Sequence, residues 1–417
     1  MSIRLFDMVA CLSSAMDLVS PEVVGHHRRV GILAHVLGGI AGLPDQARAD
    51  LALAGMLHDV GAFSLKDRLS ALAFEASDQT HPETGYRLLS GYPGFARAAG
   101  LVREHHSPWN ASGAAKEVYR PVSELGNLLC LADRLDTILP RKPGVPLDRE
   151  SVASRIRSAK GRMFNPWWVD AFEELLGRET LLEQILFAAP SRACLAVPDD
   201  CNPELTGKEV SKISRLFSQI IDFRCRFTAT HSRGVSATAM ALAAELRLDG
   251  ESRDRLEIAS ELHDLGKLGV PAEIILKPGP LDSEEMALMQ RHAAHGFNVL
   301  SGTPGMDGVA ELVGQHHERL DGKGYPGGVD ASGIGLPSRV LAVSDVFTAL
   351  AEDRPYRAGM ELSRIVSLLK DMAASKALDQ DVVATVAARR HHLDEVRHDA
   401  QAQALADFER FSLAAAP

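Results

Sequence analysis

The chain has 417 residues, of which 46% are hydrophobic and 24% charged, and its formal net charge is −10. This composition predicts a globular protein of two or three domains, and the acidic balance argues against binding to a nucleic-acid polymer, which needs a basic surface. Five widely spaced cysteines without a CxxC pair predict reduced thiols, and neither a signal peptide nor a membrane span of about 18 apolar residues is recognisable. We therefore expect a cytoplasmic protein.

Helical periodicity runs along most of the chain. Apolar residues recur at helical spacing, and no convincing series of alternating strands is found. The clearest segments are residues 30–43, 47–57, 253–265 and 362–373. Clusters of proline and glycine separate these segments. The pattern predicts an all-α fold.

An ordered set of histidines and aspartates occurs twice. The first copy contains His26, His58, Asp59, His81, His105, His106 and Asp133. The second copy contains His231, His263, Asp264, His292, His316, His317 and Asp345. The first histidine precedes the His-Asp pair by 32 residues in both copies, and the lone histidine precedes the His-His pair by 24 residues in both. Such a repeat predicts two copies of one helical domain.

The repeat defines the expected domains. We assign an N-terminal domain to residues 1–190 and a C-terminal domain to residues 205–417, because prolines interrupt the helical pattern between them. A connecting helix is expected from residue 205 to residue 227. The prediction is therefore two tandem helical bundles joined by a linker helix.

The second set of residues suits a pair of divalent metals. Histidine and aspartate together bind iron, manganese, nickel or zinc. An aspartate that directly follows a histidine can bridge two metals while the imidazole binds one of them. Two such metals generate a hydroxide nucleophile at neutral pH and stabilise the attacking and leaving oxygens of a phosphodiester. A single histidine in a helix carries no such implication, but seven residues repeated in order do.

Three blocks of the second copy resemble a known family. They are residues 262–279 (LHDLGKLGVPAEIILKPG), residues 316–327 (HHERLDGKGYPG) and residues 338–357 (SRVLAVSDVFTALAEDRPYR). Together they resemble the HD-GYP branch of the HD superfamily over roughly residues 205–400. The resemblance implies a metal-dependent phosphodiesterase that hydrolyses cyclic di-GMP to linear pGpG, or onward to GMP, through a metal-bridging hydroxide.

The resemblance also implies a role for each residue. The seven residues of the second copy would be the ligands of two metals, iron or manganese first and nickel or zinc otherwise, and Asp264 would bridge them. His263, Asp264 and Lys267 would carry the catalysis, and Lys267 would hold a phosphate oxygen or the leaving group. The substrate would contact Gly324, Tyr325, Pro326, Arg354 and Arg357.

The sequence departs from the family pattern at two positions. Phe227 stands where many members have a glutamate that binds a third metal, which implies a site of two metals. Thr348 stands where the family has a second acid after Asp345. No consequence of the second change follows from the sequence.

The first copy keeps the seven histidines and aspartates but loses the residues that handle substrate. Ala62 replaces the lysine, and the GYP loop is missing. We expect a regulatory or dimer-forming domain, in which metal binding by the seven residues of the first copy is left open.

Other functions stay open at this point. The substrate could be cyclic GMP-AMP or another nucleotide phosphoester, and a non-catalytic receptor for a cyclic dinucleotide is a further alternative. The expected partner is the cyclic dinucleotide, with a second copy of the chain or a regulatory protein as further candidates.

Overall fold

The protein is described by a computed structural model over residues 2–18, 20, 24–62, 74, 79–109, 124–140, 145–187, 197–223, 230–353 and 358–415. Three residues from the sequence analysis, Phe227, Arg354 and Arg357, lie outside this part of the chain. Their expected roles stay predictions.

The chain divides into two units, one formed by Arg4–Glu204 and the other by Met1–Ile3 with Leu205–Pro417. Their elements are almost entirely helical, so the predicted all-α fold is confirmed. Strands of two residues each, Ile3–Arg4 and Glu204–Leu205, pair in a two-stranded sheet. Among the described residues, no helix combines the length and apolar character needed to cross a bilayer.

Within its described residues, the first unit contains nine α-helices. They are α1 (Leu5–Asp17), α2 (His26–Ile40), α3 (Asp45–Leu57), α4 (Thr80–Ser90), α5 (Ala96–Glu104), α6 (Glu124–Ile138), α7 (Arg149–Ser158), α8 (Pro166–Gly177) and α9 (Glu179–Phe187). Helices α2 and α3 approach each other closely at two glycines, because a Cβ atom on Gly55 would lie 2.5 Å from the Cα atom of Gly31. The small residues in this region therefore serve helix packing.

In the second unit, the described residues form nine further helices. They are α10 (Gly207–Asp222), α11 (His231–Glu245), α12 (Gly250–Leu262), α13 (Ala272–Ile275), α14 (Ser283–Ser301), α15 (Asp307–Gln315), α16 (Leu336–Ala351), α17 (Leu362–Ala374) and α18 (Gln380–Ala415). Helix α10 falls within the range expected for the connecting helix and belongs to the second unit. It begins after a capping box in which Thr206 and Glu209 bond each other's backbone N–H groups.

A glycine after each His-Asp pair explains how that pair reaches the next helix. A Cβ atom on Gly266 would lie 2.0 Å from the carbonyl oxygen of His292, and one on Gly61 would lie 2.2 Å from that of His81. A larger residue would collide with backbone at both places. These glycines therefore let the turn carrying His263 pack against α14, and the turn carrying His58 pack against α4.

Candidate active site

The second unit brings its seven predicted metal ligands together from five helices and the turns that follow them. His231 begins α11, His292 lies within α14 and Asp345 lies within α16. His263 and His316 each directly follow the end of a helix, α12 and α15. Two groups of ligand atoms result, one around His231, His263 and Asp264 and the other around His292, His316 and His317.

Asp264 lies between these two groups. Its Oδ2 atom lies 3.5 Å from Nε2 of His263, and its Oδ1 atom lies 3.6 Å from Nε2 of His292. Around the two groups, Nε2 of His231 is 3.2 Å from Oδ1 of Asp345, and Nε2 of His292 is 3.2 Å from Nε2 of His316. The two oxygens of one carboxylate thus face different sets of histidines, which is the arrangement of a bridging ligand.

Hydrogen bonds orient three of the imidazoles. The Nδ1–H group of each donates to the carbonyl oxygen three residues earlier in its own helix, and a carbonyl oxygen can only accept. The pairs are His263 with Ser260 at 2.9 Å, His292 with Met289 at 2.7 Å and His316 with Val313 at 2.5 Å. The lone pair of each ring therefore sits on Nε2, which points into the cluster.

The protonation states suit metal binding. Burial lowers the pKa of His292 to about 3, and burial with the neighbouring His317 and His292 holds the pKa of His316 well below its usual range. Burial opposes the charged form of Asp264, but Lys267 and His263 outweigh it and keep the pKa of Asp264 well below its usual value. Neutral imidazoles and an ionised carboxylate are the forms that bind metals.

The donor set fits divalent metals. The buried Nε2 atom of His263 has no hydrogen-bond partner among the described residues, which is costly unless something binds there. Ligand atoms that share one metal at bonds of about 2.1 Å lie about 3–3.5 Å apart, close to the spacings around Asp264. A mixed set of imidazoles and carboxylates suits iron, manganese, nickel or zinc.

Lys267 lies beside the bridging carboxylate. Its Nζ atom is 2.6 Å from Oδ2 of Asp264, and its side chain is 23% exposed. Its ammonium group lies at the partly exposed edge of the cluster, where a positive charge favours an incoming phosphate.

The loop with the sequence Gly324-Tyr325-Pro326 is held against the cluster by a buried acid. Glu318 accepts hydrogen bonds from the N–H groups of Gly327 at 2.6 Å and Val329 at 3.0 Å. A Cβ atom on Gly324 would lie 2.4 Å from the backbone nitrogen of Arg319, so this position needs glycine.

Tyr325 packs directly on a predicted ligand. Its N–H group donates to the carbonyl oxygen of His317 at 3.2 Å, and its ring centroid lies 4.8 Å from that of His317. The Tyr325–Pro326 peptide bond is cis. Tyr325 therefore lines the edge of the cluster, as expected for a residue that contacts substrate.

The first unit assembles a similar cluster. Oδ2 of Asp59 lies 3.4 Å from Nε2 of His58, and Oδ1 lies 3.2 Å from Nε2 of His81. Nε2 of His26 lies 3.4 Å from Oδ1 of Asp133. The pair of His105 and His106 completes the set, with Nε2 of His105 at 3.4 Å from Nε2 of His81. All seven predicted residues of the first copy thus lie in one buried cluster.

Comparison with known proteins supports this description. HD-domain family models match residues 23–138 and residues 215–382. A 3'3'-cGAMP-specific phosphodiesterase of Vibrio cholerae is 31% identical over 383 residues, covering 89% of this chain and 88% of that protein. The chain belongs to the HD-domain phosphodiesterase family.

Two further members of this family extend the comparison. A cyclic di-GMP phosphodiesterase response regulator of Xanthomonas campestris is 37% identical over 168 residues, which is 40% of this chain and 44% of that protein. The crystal structure of a cyclic GMP-AMP specific phosphodiesterase of V. cholerae superposes with a TM-score of 0.66 at 23% identity, covering 94% of this chain and 98% of that one. The second match shows that the fold is shared.

The second acid of the family pattern, which this chain lacks at Thr348, has a substitute from another position. In the first unit, Nδ1–H of His26 donates to Asp136 at 2.8 Å, and Asp136 follows Asp133 by three residues. Thr348 occupies the matching position in the second unit. There, Nδ1–H of His231 donates to Oε2 of Glu352 at 2.9 Å instead.

Glu352 is itself held by the last helix. Gln401 in α18 donates to Oε1 of Glu352, and Arg397 donates to Gln401. Sequence analysis missed Glu352, Gln401 and Glu318. Glu352 had a usable signal, because it follows Thr348 by four residues, about one helical turn, and it stands directly after the end of α16.

A buried carboxyl also lies beside the second cluster. Asp222 accepts a hydrogen bond from the N–H group of Ser232 at 3.3 Å. Burial and the nearby Asp264 raise the pKa of Asp222 to about 8, against the opposing effect of His231. Asp17 is its counterpart in the first unit, nine residues before the first histidine in each case.

Proposed function

We propose that the second unit hydrolyses one phosphodiester bond of a cyclic dinucleotide with two divalent metals. The observation that carries this proposal is the position of Asp264, whose two oxygens face two different groups of histidines. Lys267 beside Asp264 and the Tyr325 loop add the features that a phosphodiester substrate needs. The first unit lacks both, since Ala62 replaces the lysine.

The residues of the chain would divide the work as follows. Metals held at the cluster would lower the pKa of water and stabilise negative charge on the phosphoryl group. His263, His292 and His316 would bind the metals through Nε2, because each donates its Nδ1–H group to a backbone carbonyl oxygen. Lys267 would bind a phosphate oxygen or the departing 3′ oxygen, where charge develops in the transition state.

The loop held by Glu318 would position the substrate. Tyr325 offers an aromatic ring beside the cluster on which a base can stack. Arg354 and Arg357 remain proposed contacts for phosphate or guanine. In the reaction, the oxygen of water joins phosphorus, the bond to the 3′ oxygen breaks, and that oxygen ends as a hydroxyl group. The product is a linear dinucleotide with a 5′ phosphate.

Two substrates are supported. 3'3'-cGAMP is the first candidate, because the V. cholerae relative of that specificity aligns over 89% of this chain, including both units. Cyclic di-GMP, with pGpG as product and GMP as a further product, is the second candidate. The relatives named for cyclic di-GMP align over 40% of the chain or less.

The test is turnover under controlled metal content. Protein depleted of metal with a chelator and then reloaded with Mn²⁺ or Fe²⁺ is incubated separately with 3'3'-cGAMP and cyclic di-GMP, and products are separated by chromatography. We expect a linear dinucleotide only after reloading, with faster conversion of 3'3'-cGAMP. Tight binding of either compound without any product would contradict an enzyme and support a receptor.

A further inference from the structure

An eighth side chain joins the cluster of the first unit. His27 is buried, its Nδ1–H group donates to Oδ1 of Asp17 at 2.5 Å, and its Nε2 atom lies 3.8 Å from Oδ2 of Asp59. Its ring centroid is 5.4 Å from that of His58. The matching position in the second unit is Ser232, so this histidine has no counterpart there.

Three imidazoles of the first unit direct Nε2 toward Asp59, and two of them, His26 and His58, also face Asp133. The Nε2 atoms of His26, His27 and His58 are buried and have no hydrogen-bond partner among the described residues. His58 donates Nδ1–H to the carbonyl oxygen of Gly55 at 2.8 Å, so the neutral ring that binds a metal carries its lone pair on Nε2. Buried acceptors that find no donor are costly, and a cation removes that cost.

The carboxylates complete this set. Nε2 of His26 lies 4.0 Å from Oδ2 of Asp59 and 3.4 Å from Oδ1 of Asp133, while Nε2 of His58 lies 3.4 Å and 3.6 Å from the same two atoms. The Nε2 atoms of His26 and His58 therefore face both carboxylates, and that of His27 faces the carboxylate of Asp59. This donor set suits a single ion of iron, manganese, nickel or zinc.

The other half of the same cluster is blocked by an arginine. Nη2 of Arg134 lies 2.6 Å from Nε2 of His106, and the Arg134 side chain is fully buried. A guanidinium group only donates hydrogen bonds, so Nε2 of His106 must accept and the neutral ring carries its proton on Nδ1. Neither nitrogen of His106 is then available to a metal.

Arg134 also supplies the charge that a second metal would bring. Its Nη2 atom lies 3.3 Å from Oδ2 of Asp133. The matching residue in the second unit is Val346, which carries no charge. The cation therefore lies beside the carboxylate and the histidine that would otherwise face a second ion.

We propose that the first unit holds one divalent metal, bound by His26, His27, His58, Asp59 and Asp133, and that Arg134 takes the place of a second. This set differs from the seven residues that the sequence suggested, because it adds His27 and leaves out His81, His105 and His106. A lone metal among buried ligands would stabilise the folded unit, since binding energy at such a site is folding energy.

The number of bound metals tests this proposal in the full-length chain. Metal binding by the second unit is first prevented by replacing three of its seven predicted ligands in the variant H263A/D264A/H316A. This chain, depleted of metal, is loaded with Co²⁺ alone, desalted, and counted by elemental analysis with protein quantified on the same sample. We expect one cobalt per chain, and none after the further change His58→Ala. Zero or two cobalt ions in the starting variant would overturn the proposal.

Arg134 is tested in the same background. We expect Arg134→Leu to raise the count to two per chain, because it frees His106 and removes a cation. Arg134→Lys, which keeps the charge, is expected to stay at one. If Arg134→Leu disrupts folding by circular dichroism, the double change R134K/H106N serves instead and must also stay at one. A folded leucine variant with one metal, or a lysine or double variant with two, would contradict the role of Arg134.

His27 is tested by exchange for its counterpart. His27→Ser gives the first unit the residue that the second unit has at this position. We expect cobalt affinity to fall by more than about tenfold, because losing a ligand costs more than losing a residue that only hydrogen-bonds to a ligand. The visible absorption of Co²⁺ should change as well, because it depends on the ligands. Unchanged affinity and spectrum would show that His27 is not a ligand.

Discussion

The two units share one scaffold and one spacing of ligands, yet they differ at a few positions that decide the chemistry. Each carries an aspartate whose two oxygens face different groups of histidines. The second unit adds Lys267 and the Tyr325 loop, while the first adds His27 and Arg134. From this comparison we infer that the shared histidines and aspartates set where metals would bind, whereas the side chains beside them would set how many metals bind and whether the unit binds a phosphate.

The largest contrast is expected when the same pair of residues is removed from each unit. H263A/D264A should reduce turnover by on the order of 10³-fold or more, because two metals contribute several kcal/mol to the transition state. H58A/D59A should reduce it by less than about tenfold, since the first unit has no lysine at the cluster. Initial rates with Mn²⁺-loaded protein measure both. Equal losses would show that both clusters take part in catalysis.

The lysine provides the next contrast. Lys267→Ala gives the second unit the residue that the first has at Ala62, and we expect kcat to fall by about 10²-fold with metal content unchanged, because a cation that meets the transition-state charge is lost.

The control is Lys277→Ala, which removes a lysine paired with Glu285 away from the cluster. It should keep the wild-type kcat. A Lys267→Ala variant with normal kcat would reduce this lysine to a structural partner of Asp264.

The acid that accepts the Nδ1–H group of the first histidine is Asp136 in the first unit and Glu352 in the second, and two substitutions can move it from one position to the other. Glu352→Gln should cost about 10–100-fold in metal affinity or turnover, because a carboxylate behind a ligating histidine orients it and raises its basicity. Adding Thr348→Asp gives the second unit the arrangement of Asp136 with His26. We expect the double variant to recover most of the loss in a metal titration. If Glu352→Gln kept normal metal affinity and turnover, or if the double variant did not recover them, Glu352 and Asp136 would not have equivalent roles.

The sequence was sufficient to predict the all-α fold, and it identified the histidines and aspartates that the structure brings together in each unit. Helical periodicity is a local signal, and the repeat places His231, His263 and Asp264 at spacings that a second copy repeats. Gly266 follows Asp264 by two residues in the sequence, but only the structure shows that a Cβ atom on Gly266 would meet the backbone of α14.

Residues that act behind the ligands could not be predicted in the same way. His231 and Glu352 lie 121 residues apart, and their contact depends on how α11 and α16 pack. Arg134 directly follows Asp133 in the sequence, but nothing local shows that its guanidinium turns inward to His106. Such contacts follow from the tertiary arrangement of helices.

The smallest expected effect lies farthest from the metals. Gln401 in α18 donates to Glu352, which in turn holds His231. Gln401→Leu removes one hydrogen bond of about 0.5–1.5 kcal/mol, so we expect metal affinity to fall by about two- to tenfold. Gln403→Leu is the matched control, because Gln403 lies in the same helix and is exposed. Equal affinities in the two variants would limit the chain of contacts behind His231 to Glu352 alone, whereas a loss confined to Gln401→Leu would extend it to the last helix of the second unit.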